Sequence, residues 1–216
     1  MPRKQPPPAE SGQQVRGLLR KYACPVPYHE VRTRFLGNIA TPKLSASPLN
    51  IAKGLWGGAF PEVESIEDLN RLIDALINGL WNALTVHQKR GEPFRLVKVS
   101  LDPSVANLAR LALVRRQELD GFVEGLFDGA EAIDLPERAN AAMGALAEMR
   151  TIMGGAHDLA TRTAEPADPA QIQATFRHLR ELTRIMEREI HAVVLDCTRV
   201  RRQMIRDATA KAPTFH

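Results

Sequence analysis

Between Ile172 and Met204, apolar residues recur in steps of four and three without a break. One set is Ile172, Leu179, Met186, Val193 and Val200. The interleaved set is Phe176, Thr183, Ile190, Cys197 and Met204, in which only Thr183 is polar. A period of 3.5 residues keeps one stripe of an α-helix facing the same side, so this segment has to lie lengthwise against other helices. Asp168-Pro169 supplies an N-cap and a proline at the first helical position, and neither Gly nor Pro follows before Pro213, which predicts a helix over 168–211. So strict a repeat favours a partner helix of similar length, and the other helices expected here are shorter. The pattern therefore leans toward a homodimer through residues 172–204, with packing inside the chain as the alternative.

The rest of the chain reads as helix and turn. Residues 1–11 are Pro-rich and polar, an extended or disordered tail. A short helix is expected over 13–22, with Val15, Leu18 and Leu19 inward. Pro25, Pro27, Pro42 and Pro48 speak against a long helix in 23–50, where Val31, Thr33 and Phe35 alternate with Arg32 and Arg34 like a short extended piece. Ser65 caps a helix with Asp68 three residues on, followed by an apolar stripe from Leu69 to Leu84 and a stop at Gly91. Asp102-Pro103 opens the next helix, which carries Val105 to Leu126 and ends at Gly129. Pro136 opens another that ends at Gly154-Gly155. The fold class is all-α: a helical bundle with a long, heptad-patterned C-terminal helix. The expected division is a basic, partly disordered arm over 1–53, a helical globule over 54–160 and the long helix over 168–211.

Charge is unevenly spread. Residues 1–53 hold nine Lys/Arg and two acids, a net of +7, in a chain whose total is +4. Residues 117–137 hold seven acids and no Lys or Arg. Asp120, Glu124 and Asp128 share one helical face, where they could meet an arginine-rich partner, bind a cation or simply be solvated. Arg199, Arg201, Arg202 and Arg206 make a basic end to the long helix. They suit phosphates, the helix C-terminus itself or the acidic segment. Arg32 and Arg34 belong to the basic arm and are the positions where its docking would be felt. Blocks of alternating sign read as docking faces, either between parts of this chain, with the basic arm on the 117–137 helix, or with a partner.

Candidates for chemistry are few. Gly121, Gly125 and Gly129 lie inside a helix with no Lys-Ser/Thr after them, so they are helix-packing residues and not a phosphate loop. Di-iron bundles need Glu-x-x-His on two helices. Here Arg188 stands three residues before His191, and Thr175 before His178. His157, His178 and His191 read as surface histidines, and no Gly-x-Ser-x-Gly occurs. Trp56, Phe60 and Trp81 read as anchors of a helical core before a ligand pocket. Cys24 and Cys197 form neither a zinc motif nor a disulfide framework. No apolar run marks a signal peptide or a membrane span. No metal or cofactor is expected, and a cytoplasmic setting is.

Trp56-Gly57, Phe60-Pro61-Glu62, Ser65 and the helix ending Leu80-Trp81-Asn82-Ala83-Leu84 resemble the YecA/YgfB-like family of bacterial proteins. There, a tryptophan–glycine pair precedes a proline-led helix that ends in an aromatic–asparagine pair. Leu119-Asp120-Gly121-Phe122-Val123-Glu124-Gly125-Leu126 looks like that family's second signature, Gly-Phe-x-x-Gly on a helix. The resemblance covers about residues 45–150. The Cys/His zinc-binding tail of some members is absent, and the heptad helix stands in its place. The resemblance implies an all-α protein without a known catalytic centre. The function expected is that of a non-catalytic adapter or regulator acting through contacts with another protein. The alternative is a nucleic-acid-associated protein using the basic arm and the arginine-rich helix end.

Overall fold

Thirteen residues between Pro27 and Thr41 form the helix on which the fold is built. In the computed structural model, which describes residues 8–99, 102–162 and 168–210, the elements follow in this order. The first three helices are α1 (Pro8–Lys21), α2 (Tyr28–Ala40) and α3 (Pro48–Gly54). Next, α4 (Ile66–Ile73) runs on as a π-helical stretch (Asp74–Trp81), α5 (Asn82–Leu84) and a 3₁₀ turn (Thr85–Gln88). The long helices α6 (Val105–Phe127), α7 (Glu137–Arg162) and α8 (Pro169–Ala210) complete the chain. No strand occurs among the described residues, and the protein is all-α. No helix among them is long and apolar enough to cross a membrane.

The reading of 31–35 as an extended piece is corrected by α2. Val31 and every residue from Thr33 to Ala40 are buried. A helix covered on all sides has no polar face, so its 3.6-residue period disappears and a local alternation can imitate a strand. The prolines do not break it, because Pro27 occupies its N-cap and Pro42 follows its C-cap Thr41. Nor does residue 53 mark a boundary. One apolar cluster runs from Val15 on α1 through α2 to Cys197 on α8.

Around α2 the long helices close a bundle. The most extensive contact is between α2 and α6, followed by α6 with α7 and then α7 with α8, which returns to touch α2 and α6. The α2–α6 crossing is set by glycine. A Cβ on Gly121 would lie 2.6 Å from Glu30 O, one on Gly37 would lie 2.6 Å from Leu126 N, and one on Gly125 would run into Arg34 O. The helix backbones touch there, as the four-residue spacing of Gly121 and Gly125 predicts. Gly129 lies past the end of α6, which Asp128 closes in the left-handed region at φ 47°, followed by Gly129 at φ 73°.

Three further boundaries differ from expectation. α1 starts at Pro8, inside the tail expected over 1–11, and not at residue 13. Ser104, not Asp102, caps α6: its Oγ accepts from Asn107 N at 3.2 Å. Gly154-Gly155 does not end α7, which continues for two more turns to Arg162. Each internal glycine costs about 1 kcal/mol, but the later face still packs. Ala156 and Ala160 lie against the core, and Nδ1 of His157 is 3.1 Å from Ala109 O on α6.

The heptad seam is used inside the chain. Phe176, Leu179, Met186, Ile190, Val193 and Cys197 are buried against α7, α2 and α6. The polar exception is explained by its partner: Thr183 Oγ1 accepts from Arg115 Nε at 3.1 Å and donates to Leu179 O at 2.8 Å. Arg115 also donates to Val97 O at 2.8 Å and pairs with Glu118, which receives the Val97 N–H at 2.8 Å. This buried network straps segment 94–99 onto α6 and α8. Past Thr198 the cover ends. Val200 and Arg201 are half-buried, and every residue from Arg202 to Ala210 is exposed. A homodimer through 172–204 therefore has only the outer face and this free end of α8 to use.

Candidate protein-docking groove

Where α8 leaves the core, it forms one wall of a groove of about 650 Å³. The opposite wall is the loop after α2, with Lys43 and Leu44, and Trp81 closes one side. Leu44 and Ile205 face into this groove while 58% and 50% exposed. Such exposure of large aliphatic residues on both walls of one groove costs solvation unless a partner covers it.

Each polar group at the groove has a traceable cause. Arg201 donates to Thr41 O at 3.0 Å, capping the carbonyl end of α2, and burial pulls its guanidinium below the ordinary value. Lys43 Nζ donates to Asp128 O at 3.0 Å, which ties the loop to the end of α6. Trp81 is the last residue of the π-helical stretch, a rare geometry that re-aims side chains. Its indole N–H donates to Asn38 Oδ1 at 3.2 Å. Asn38 is 1% exposed, and its amide nitrogen has no hydrogen-bond partner. The groove thus combines an apolar floor, two cations and one unspent donor.

The structure scatters the other predicted site residues. Asp120 pairs with Arg150 on α7 and approaches Arg116 at 3.8 Å. Glu124 pairs with Arg34 on α2, which also holds Glu30 at 3.3 Å. Asp128 is the α6 C-cap, its main-chain N–H donating to Glu124 O and its main-chain oxygen accepting from Lys43 Nζ. The three carboxylates therefore do not act as one docking face. Two of them join helices of the same chain, and the Arg34–Glu124 pair locks the basic segment onto the acidic helix. Arg32 stacks on Phe94, 4.8 Å from the ring centroid, and donates to Arg95 O at 3.3 Å.

Along α8, Arg199 pairs with Asp196 at 3.2 Å and Arg202 donates to Gln88 Oε1 at 3.2 Å. Arg206 is exposed, with no ion pair among the described residues. Only Arg201 of the predicted set lines the groove. Asn38, Lys43, Leu44 and Ile205 are not flagged by the sequence pattern. The one signal for them is that the apolar repeat continues past Cys197 into the arginine-rich end.

The remaining polar residues serve the fold. Trp56 donates its indole N–H to Tyr22 O at 2.9 Å and packs against the core beside Phe60. His191 Nε2 lies 3.4 Å from Arg90 O. The Cys197 thiol is pushed up to about 12 by burial, and burial also raises that of Cys24, so neither is an activated nucleophile. Among the described residues no cluster of His, Cys, Asp or Glu could hold a metal ion. A second cleft, beside residues 95–99, contains two of the fold's ion pairs, Arg95 with Glu187 at 2.6 Å and Arg115 with Glu118, and is also lined by Lys98, Asp102 and Arg180.

No family model, curated protein or solved structure matches this chain. Of the motif residues singled out in the sequence, Gly121 and Gly125 lie at the helix crossing, Trp56 at the core edge and Trp81 at the groove.

Proposed function

We propose that the protein is a non-catalytic adapter or regulator that binds another protein in the groove between the free end of α8 and the loop after α2. The observation that carries this reading is the pair Leu44 and Ile205, both half or more exposed on opposite walls of one groove with Lys43 and Arg201 at its edge. Protein-binding sites combine an apolar centre with a polar rim, and arginine and aromatic residues anchor them. The family resemblance implies the same kind of role. The nucleic-acid alternative keeps fewer cations than the sequence suggests. Arg34 is buried in ion pairs, Arg32 lies on Phe94, and Arg199 faces Asp196.

The test is site-specific photo-crosslinking in cells of origin. A photoreactive phenylalanine derivative replaces Ile205, or Ile152 on the outer face of α7 as control. Both native residues are exposed, at 50% and 45%, so both variants fold. A discrete protein adduct is expected at position 205, absent at 152 and lost on adding Leu44→Asp. Adducts of equal pattern at both positions, or none at 205, would sink the proposal.

A further inference from the structure

We infer that the occupant of the groove is an acidic amphipathic helix laid along the free end of α8, an inference that rests on the protein-binding reading above. Three independent observations lead there. The first is periodicity. Val200 and Met204 keep the 3.5-residue step of the seam after Cys197, yet Met204 is 43% exposed because the chain's own helices stop covering α8 near Thr198. Val200 and Met204 carry the apolar seam past that cover until Asp207 takes the next seam position, and beside them Arg201, Ile205 and Ala208 turn the same end of α8 toward Leu44, a stripe suited to helix-in-groove recognition.

The second observation is charge. From Val200 to Ala210 the helix carries three arginines, Arg201, Arg202 and Arg206, and one acid, Asp207, and Lys43 stands on the facing loop. A second copy presenting the same α8 end would set arginine against arginine, which costs association free energy and slows encounter. An acidic partner meets the opposite field. A nucleic acid would also meet it, but the apolar lining of Leu44, Trp81 and Ile205 between Lys43 and Arg201 suits the face of a helix better than a phosphate backbone. The third is the unspent amide nitrogen of Asn38, buried beside Trp81 where an arriving acceptor would satisfy it.

The experiment uses the full chain and a labelled synthetic helix of about three heptads, with Leu at the seam positions and Glu flanking them. Its controls are a scrambled peptide of the same composition and one with Lys in place of Glu. Fluorescence anisotropy is expected to show saturable, salt-sensitive binding of the acidic helix. Binding should be weaker by about tenfold or more for each control, and likewise for Ile205→Asp, a level typical of interface anchors. The variant's melting temperature should be unchanged.

Equal binding of the scrambled or lysine peptide, or indifference to Ile205→Asp, overturns the inference. So does sedimentation of the chain as a dimer that Ile205→Asp dissociates, since the occupant is then a second copy. Absence of peptide binding together with a protein adduct at position 205 overturns the partner chemistry and leaves the adapter reading standing. Absence of both removes the two together.

Discussion

Gly125 of α6 lies directly on the backbone of Arg34 in α2: a Cβ added to it would fall 2.7 Å from the Arg34 carbonyl carbon and 3.0 Å from Asn38 N. Main-chain atoms cannot swing aside as a side chain can, so the two helices would have to separate. Exposed helical glycines behave in the opposite way, because alanine has the higher helix propensity by about 1 kcal/mol. Gly144 on α7 is such a position, with nothing within 4 Å of its added Cβ. Gly125→Ala is expected to destabilise by several kcal/mol, about the upper range for single substitutions. Gly144→Ala should stabilise by up to about 1 kcal/mol. Urea unfolding of the two variants checks the sign of each. A stabilised Gly125→Ala would mean that α2 and α6 do not cross at these glycines.

The buried Arg115–Glu118 pair makes a different forecast. Glu118 is fully buried, and burial pushes its carboxyl above the usual range despite the guanidinium beside it. Removing Arg115 alone, as Arg115→Met, strands that carboxyl and should cost about 3–5 kcal/mol. Arg115→Met with Glu118→Met removes both charges and should recover much of the loss. Recovery will be incomplete, because Val97 and Thr183 lose partners as well. Additive losses in the double variant would show that the two side chains do not act as a pair.

The buried histidines should cost stability on mild acidification. His29 and His87 have their pKa lowered below the ordinary 6.5, in each case chiefly by burial. The unfolded chain then binds protons before the folded chain does. Their contribution is present above about pH 6.5 and is lost as pH falls toward the folded values. Glu30 and Glu118 act with the opposite sign. Their carboxyls are raised by burial, so what they contribute is greatest below 4.5 and is lost as pH rises through the folded values. Lowering the pH from 7.5 to 5.5 should therefore change the melting temperature of the wild type less favourably than that of His87→Gln. Equal changes would show that His87 carries none of the dependence.

How much was legible in the residues follows from what each helix touches. α8 and α6 have one covered face, so their periodicity survives in the sequence and gives the fold class. α2 is covered all round, and its pattern imitates a strand. Thr183 is unreadable without Arg115, which lies 68 positions away. The groove is hidden for the same reason: Arg201 meets Thr41 across 160 positions, and Trp81 meets Asn38 across 43. The acidic row Asp120, Glu124 and Asp128 was visible as charge, but its use in joining α6 to α2 and α7 depends on arginines that no local pattern connects to it.

The division of α8 into a closed seam and an open end is tested most directly by thermal unfolding of two aspartate variants of that one helix. Val193 is fully buried, whereas Ile205 is half exposed. Val193→Asp buries an unpaired carboxylate and should lose about 4 kcal/mol or more, enough to lower the melting temperature by roughly ten degrees or to abolish the transition. Ile205→Asp should melt within about 0.5 kcal/mol of the wild type, as surface substitutions do. If the two variants melt alike, whether both fall or neither does, α8 is not closed at Val193 and open at Ile205, and the groove loses its basis.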